Sequence, residues 1–123
     1  MFTNKAIGEL YQEFNDTIIE LPHPDAEPYK LTSEPDRVQR IALLGMRLHN
    51  MVLAMPDDAF SKWGHLLMGM REILYLDSIH LPLAMKGDRS RDAYWYGVHN
   101  QWIQKLHDTA AELGMPRTAK SSD

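Results

Sequence analysis

The chain has 123 residues, no cysteine and a formal net charge of −4, with 44% hydrophobic and 24% charged residues. That size and composition fit one domain that buries most of its apolar surface without disulfides, thiolate zinc sites or nucleophilic thiols. The sequence has no basic face for duplex DNA, no signal-peptide pattern in MFTNKAIGEL and no apolar run near the ~18 residues of a membrane span, which points to a cytoplasmic protein.

Residues 3–20 predict a first helix, opened by Thr3 or Asn4 as N-cap, with Ile7, Leu10, Tyr11, Phe14 and Ile18 at helical spacing. The following LPHPDAEPYKLTSEP carries four prolines and reads as a connecting segment, because proline lacks the N–H and clashes with the preceding turn. Ser33, Glu34, Pro35 and Asp36 form a helix start, with a capping hydroxyl, proline in the first turn and acids where the helix dipole favours them. The second helix is expected to run to about Ala54, with Val38, Ile41, Ala42, Leu44, Leu48, Met51, Val52 and Met55 inward.

Met55-Pro56-Asp57-Asp58 is a tight stop and restart, and so short a turn packs helices two and three antiparallel. Helix three carries Phe60, Trp63, Leu66, Leu67, Met70, Ile73, Leu74 and Ile79 and is expected to end at Leu81-Pro82. A fourth segment, starting near Asp88 or Ser90, repeats Tyr94, Trp95, Val98, Trp102, Ile103, Leu106, Ala110 and Leu113 until Gly114 and Pro116 stop it. The expected product is all-α: a small bundle of about four helices built on a central antiparallel αα-hairpin. Residues 1–116 form one domain and 117–123 a disordered tail.

The six histidines raise a metal hypothesis, but their spacing gives no HExxH or paired Glu-x-x-His pattern. Asp77 and His80 read as a surface pair near a helix end, and His49 and His65 as polar residues between helices two and three. No Gly-rich phosphate loop or nucleophile elbow occurs, so neither an enzyme, nor a metal, nor a cofactor is expected. The chemistry-bearing grouping is aromatic plus basic. RSRDAYWYG brings Arg89, Arg91 and Tyr94 within two turns, the residue types that stack a base and hold its phosphate. Lys62, Arg71 and Tyr75 on helix three form a second set of the same kind.

Arg37, the apolar helix after it, the Met55-Pro56-Asp57-Asp58 turn, Ser61 one turn into the next helix and the closing Ile79 stand in an order that resembles the helical-hairpin domain of phage anti-CBASS and anti-Thoeris cyclic-nucleotide sponge proteins. The resemblance covers about a third of the chain. Trp63 lies earlier than the tryptophan of that pattern, and the C-terminal helix is an addition. It implies a non-catalytic homo-oligomer that sequesters a small cyclic nucleotide, with Ser61 and, by its place in an N-terminal helix, Tyr11 at the ligand. The alternative class is an acidic helical interaction module that inhibits a host defence or regulatory protein by direct binding. Residues 1–31, with six acids against Lys5 and Lys30, would face a basic partner.

Overall fold

The computed structural model describes residues 2–18, 35–88 and 90–115. Four helices make up the fold, α1 (Asn4–Thr17), α2 (Pro35–Ala54), α3 (Asp57–Met85) and α4 (Asp92–Glu112), with no strand among the described residues. The expected connecting segment and Ser33 cap, Arg89 and the 117–123 tail lie outside the described residues.

Each helix begins and ends for a local reason. Thr3 is the N-cap of α1, its Oγ1 accepting from the Ala6 N–H at 3.1 Å. At the other end of the chain, Gly114 sits at φ 77° while Met115 N–H donates to the Ala110 carbonyl and Gly114 N–H to that of Ala111. This Schellman arrangement needs the left-handed backbone that glycine adopts without strain. Met115, buried just beyond it, packs toward Gly8 of α1, where an added Cβ would lie 3.7 Å from its Sδ.

Helix α3 departs from expectation by running through Pro82 to Met85. The proline falls in the last turns, where only the bond to the Ser78 carbonyl is forfeited. The helix then closes on a second Schellman cap, with Asp88 N–H on the Leu83 carbonyl and Gly87 at φ 88°. The stop signal is thus Gly87 and not Pro82.

Helices α2 and α3 pack antiparallel. Gly45 approaches Leu74, an added Cβ being 3.8 Å from that residue's Cβ, while His49, one turn later, meets Arg71, one turn earlier. Gly69 gives α4 similar access, leaving only 3.0 Å between an added Cβ and Leu106. The core gathers Ile7, Leu10, Tyr11, Phe14 and Ile18 of the N-terminal segment, Ile41, Leu44 and Leu48 of α2, Trp63 through Leu81 on the inner side of α3, and Trp95, Leu106 and Ala110 of α4. Glu13 and Arg47, 2.6 Å apart, tie α1 to α2 at the surface, where such a pair contributes about 0–1 kcal/mol.

Candidate functional site

Asp77 lies on the inner stripe of α3, between Ile73/Leu74 and Leu81, so the helical period turns its carboxylate into the core. It is fully buried, and His80, one turn on, is nearly so. The expectation of a surface pair is therefore corrected: both side chains point at α4. There the Trp95 Nε1–H donates to Asp77 Oδ1 at 3.0 Å, and His99 Nε2, one turn further along α4, lies 3.1–3.2 Å from the two carboxylate oxygens.

Nε2 is therefore the ring nitrogen of His99 that meets the carboxylate. Nδ1 is buried and has no hydrogen-bond partner among the described residues. Burying a carboxylate costs several kcal/mol, which two N–H donors offset only when their geometry is good. The network therefore holds α3 and α4 in one register.

The same network carries an aromatic stack outward. His80 lies nearly parallel to Trp95, with ring centroids 6.0 Å apart and planes 15° from one another. Tyr94 then leans on the other side of the cluster, 5.9 Å from His80, with 58% of its surface open. Spacings of three, four, four and three put Arg91, Tyr94, Val98, Trp102 and Lys105 on one face of α4. Arg91 and Lys105 are exposed, and Trp102 is 40% open. The sequence reading set Tyr94 among the ligand residues and Trp102 only in the apolar repeat of the helix. Their exposure makes them a platform with a cation at each end.

A second feature lies on the outer face of the hairpin. Ile41, Ala42, Gly45 and Met46 of α2, with Leu74 and Tyr75 of α3, wall a groove of about 520 Å³ whose polar side is His49, Asn50, Arg71, Glu72 and Ser78. The Arg71 guanidinium is 3.3 Å from His49 Nδ1 and 3.4 Å from Glu72, loose contacts that leave it turned along the wall. His49 thus bridges α2 and α3 at an exposed edge, as a polar residue between the helices, whereas His65 is exposed near the start of α3.

The expected ligand residues do not converge within one chain. Tyr11 is in the core, its hydroxyl 2.5 Å from His107 Nδ1. Ser61 is exposed and donates to the Asp57 carbonyl, while Lys62 sits 4.7 Å over the Trp63 ring. Arg71 lines the groove, and Arg91 and Tyr94 stand at the far end of α3, where His80 is roughly 28 Å from Ser61 along the helix axis. Sequence reasoning missed His99, Trp102 and Lys105. The available signal was a carboxylate inside an apolar stripe opposite a stripe holding an imidazole.

Among the described residues no three His, Asp or Glu side chains are grouped to hold a metal ion, and no helix is long and apolar enough to cross a membrane. Compared with known proteins, the chain matches no family model, no curated protein and no solved structure.

Proposed function

We propose that the chain is a non-catalytic binding protein that captures a small anionic nucleotide on the Tyr94 platform, in the manner of a cyclic-nucleotide sponge. The supporting observation is the ordered series Trp95, His80, Tyr94. Its buried end is anchored by Asp77, and its open end offers an aromatic face one turn from Arg91. A base stacks on an aromatic side chain whatever its sequence identity, and the guanidinium beside it matches a phosphate. The Asp77–His99 pair, at 0% and 1% exposure, supports the platform from beneath and is not part of its open surface.

Titration calorimetry of the purified chain against cyclic mono- and dinucleotides and cyclic ADP-ribose tests this. Saturable binding is expected with at least one of them. Tyr94→Ala should weaken it by about 5- to 150-fold, the range for losing one base–aromatic stack, without altering the far-UV circular dichroism. Silence across the panel, or affinity unchanged in Arg91→Ala/Tyr94→Ala, overturns the reading.

A second reading, an interaction module that works by direct protein contact, is favoured by a different observation. Of the eight large apolar side chains most exposed among the described residues, six lie on α2 and α3: Leu43, Met46, Leu53, Phe60, Tyr75 and Ile79. Two of them, Met46 and Tyr75, wall the groove beside Arg71, and Tyr, Met and Arg are residue types enriched at protein interfaces.

A further inference from the structure

The groove between α2 and α3 changes character along its length. With the helices antiparallel, His49 and Arg71 stand at one end, Met46 and Tyr75 in the middle, and Ile41 and Ser78 at the other. From His49 to Ile41 is eight residues of α2, about 12 Å. The Ser78 hydroxyl donates to the Tyr75 carbonyl at 2.6 Å, so the Ile41 end is apolar in effect and the charge is gathered at the Arg71 end.

A guanidinium offers five N–H donors in a planar fork. Among the described residues Arg71 has two polar side-chain partners, each at a single nitrogen: His49 Nδ1 at 3.3 Å and Glu72 at 3.4 Å. Both contacts are long beside the about 2.7–2.9 Å of a good charged hydrogen bond. Glu72 is poorly placed to improve on its own, because sequence neighbours on a helix do not face each other. The fork is thus open to an acid that meets it squarely, while Glu72, 44% exposed, turns to water.

Gly45 sits at the middle of the groove. Glycine inside a helix is less stable than alanine, and the packing of α2 on α3 does not demand it, since an added Cβ would make ordinary contact with Leu74 at 3.8 Å. The missing side chain deepens the groove beside Met46 and Tyr75, each 63% exposed. A thioether and a phenol ring present polarisable and flat surfaces to a flat apolar body. A volume of about 520 Å³ with apolar walls and a few polar groups gathered at one end is the make-up of a small-molecule site.

We infer that this groove binds a small amphipathic carboxylate, its flat apolar body lying over Gly45 against Met46 and Tyr75 and its acidic group on the Arg71 fork. The inference goes beyond both readings above. No residue of α4 lines the groove, so the site is separate from the Tyr94 platform, and its occupant is a small molecule where the second reading has a protein.

The probe is 2-naphthoate, with 2-naphthamide as its neutral counterpart, each titrated into the full-length chain and followed by amide NMR shifts. Naphthoate should saturate with a Kd below about 1 mM and shift Gly45, Met46 and Tyr75. Naphthamide should bind about 10- to 150-fold more weakly, the range for losing one charged hydrogen-bonded contact, and Arg71→Gln should erase the difference between the two. Ala42→Trp fills the groove from an exposed position and should abolish both without altering the circular dichroism. Tyr94→Ala should change neither.

Naphthamide binding as tightly as naphthoate removes the acid and the role of Arg71, and overturns the inference. Shifts that centre on α4 and vanish in Tyr94→Ala also overturn it, and give the probe to the platform. Silence from both probes at the groove removes its small ligand and leaves that face to the second reading.

Discussion

Toward α4, helix α3 buries the Asp77 carboxylate and the His80 ring; beside α2, the same helix leaves Phe60, Tyr75 and Ile79 open to solvent. The two sides break the ordinary distribution of residues in opposite senses, and they do so at different cost. A buried carboxylate is charged against stability, because its desolvation must be offset by donors aimed at it. An exposed apolar face costs nothing in the fold of one chain. Its penalty falls on the isolated state in water, and contact with another molecule relieves it. Polar groups inside therefore report on how rigidly α3 and α4 are held, and apolar groups outside report on what the hairpin touches.

The sharpest way to break the comparison is to remove the carboxylate. Asp77→Ala strands the Trp95 indole N–H and the His99 imidazole in the core. Truncating one partner of such a buried pair costs about 3–5 kcal/mol. Against the 5–15 kcal/mol that holds a domain of this kind together, that is a large share. Urea unfolding followed by circular dichroism should show a midpoint far below that of the unmodified chain. A midpoint moved by less than the equivalent of about 1 kcal/mol would mean that the network is decorative and that α4 is positioned by apolar packing alone.

Two isoleucines on α3 sharpen the contrast at fixed chemistry. Ile73 is fully buried and Ile79 is 43% exposed, six residues away on the same helix. Ile73→Ala is expected to cost about 2–5 kcal/mol through lost transfer energy and a residual cavity. Ile79→Ala, measured where the chain is dilute, should stay within about 0.5 kcal/mol of the unmodified protein. Equal losses at the two positions would show that the outer face is structural and needs no partner.

The architecture was largely legible because helices announce themselves by period and by punctuation. All five inward positions read for the first helix are buried, and Gly114 closes α4 where the sequence placed the stop. Pro82 misled because a proline near a helix end loses one bond only, whereas Gly87 supplies the left-handed residue that the cap requires. The site was less legible. Period alone put Phe60, Ile79 and Trp102 in the apolar repeat, yet whether an apolar position is covered depends on which neighbouring helix lies over it, a tertiary fact. The reverse error at Asp77 came from treating a charge as a surface residue, although its spacing from Ile73, Leu74 and Leu81 had it in the core stripe. Of the residues singled out for binding, Arg71 and Tyr94 lie at surface features with a definite shape, and Tyr11 does not.

The smallest expected effect comes from the turn between the two regions, where an exposed acid follows the ordinary rules. The Asp88 carboxylate accepts the Ser90 hydroxyl at 2.7 Å and the Ser90 N–H at 3.1 Å. These bonds, the hydroxyl foremost, with the nearby Arg91 charge adding to them, hold its pKa below the usual value of 3.8. Because the folded value is the lower one, the contribution of these contacts is present above the unfolded-state pKa and is lost as pH falls through the depressed folded pKa. A carbon-detected NMR titration should place the Asp88 midpoint below 3.8 and show it rising in Ser90→Ala. If the midpoint stays low without the hydroxyl and rises only when Arg91→Ala is added, Arg91 is the group that holds it, because the Ser90 N–H survives both substitutions. That guanidinium would then be committed to Asp88 and not to a phosphate beside Tyr94, so a titration of the least costly contact in the molecule bears directly on the cation of the proposed platform.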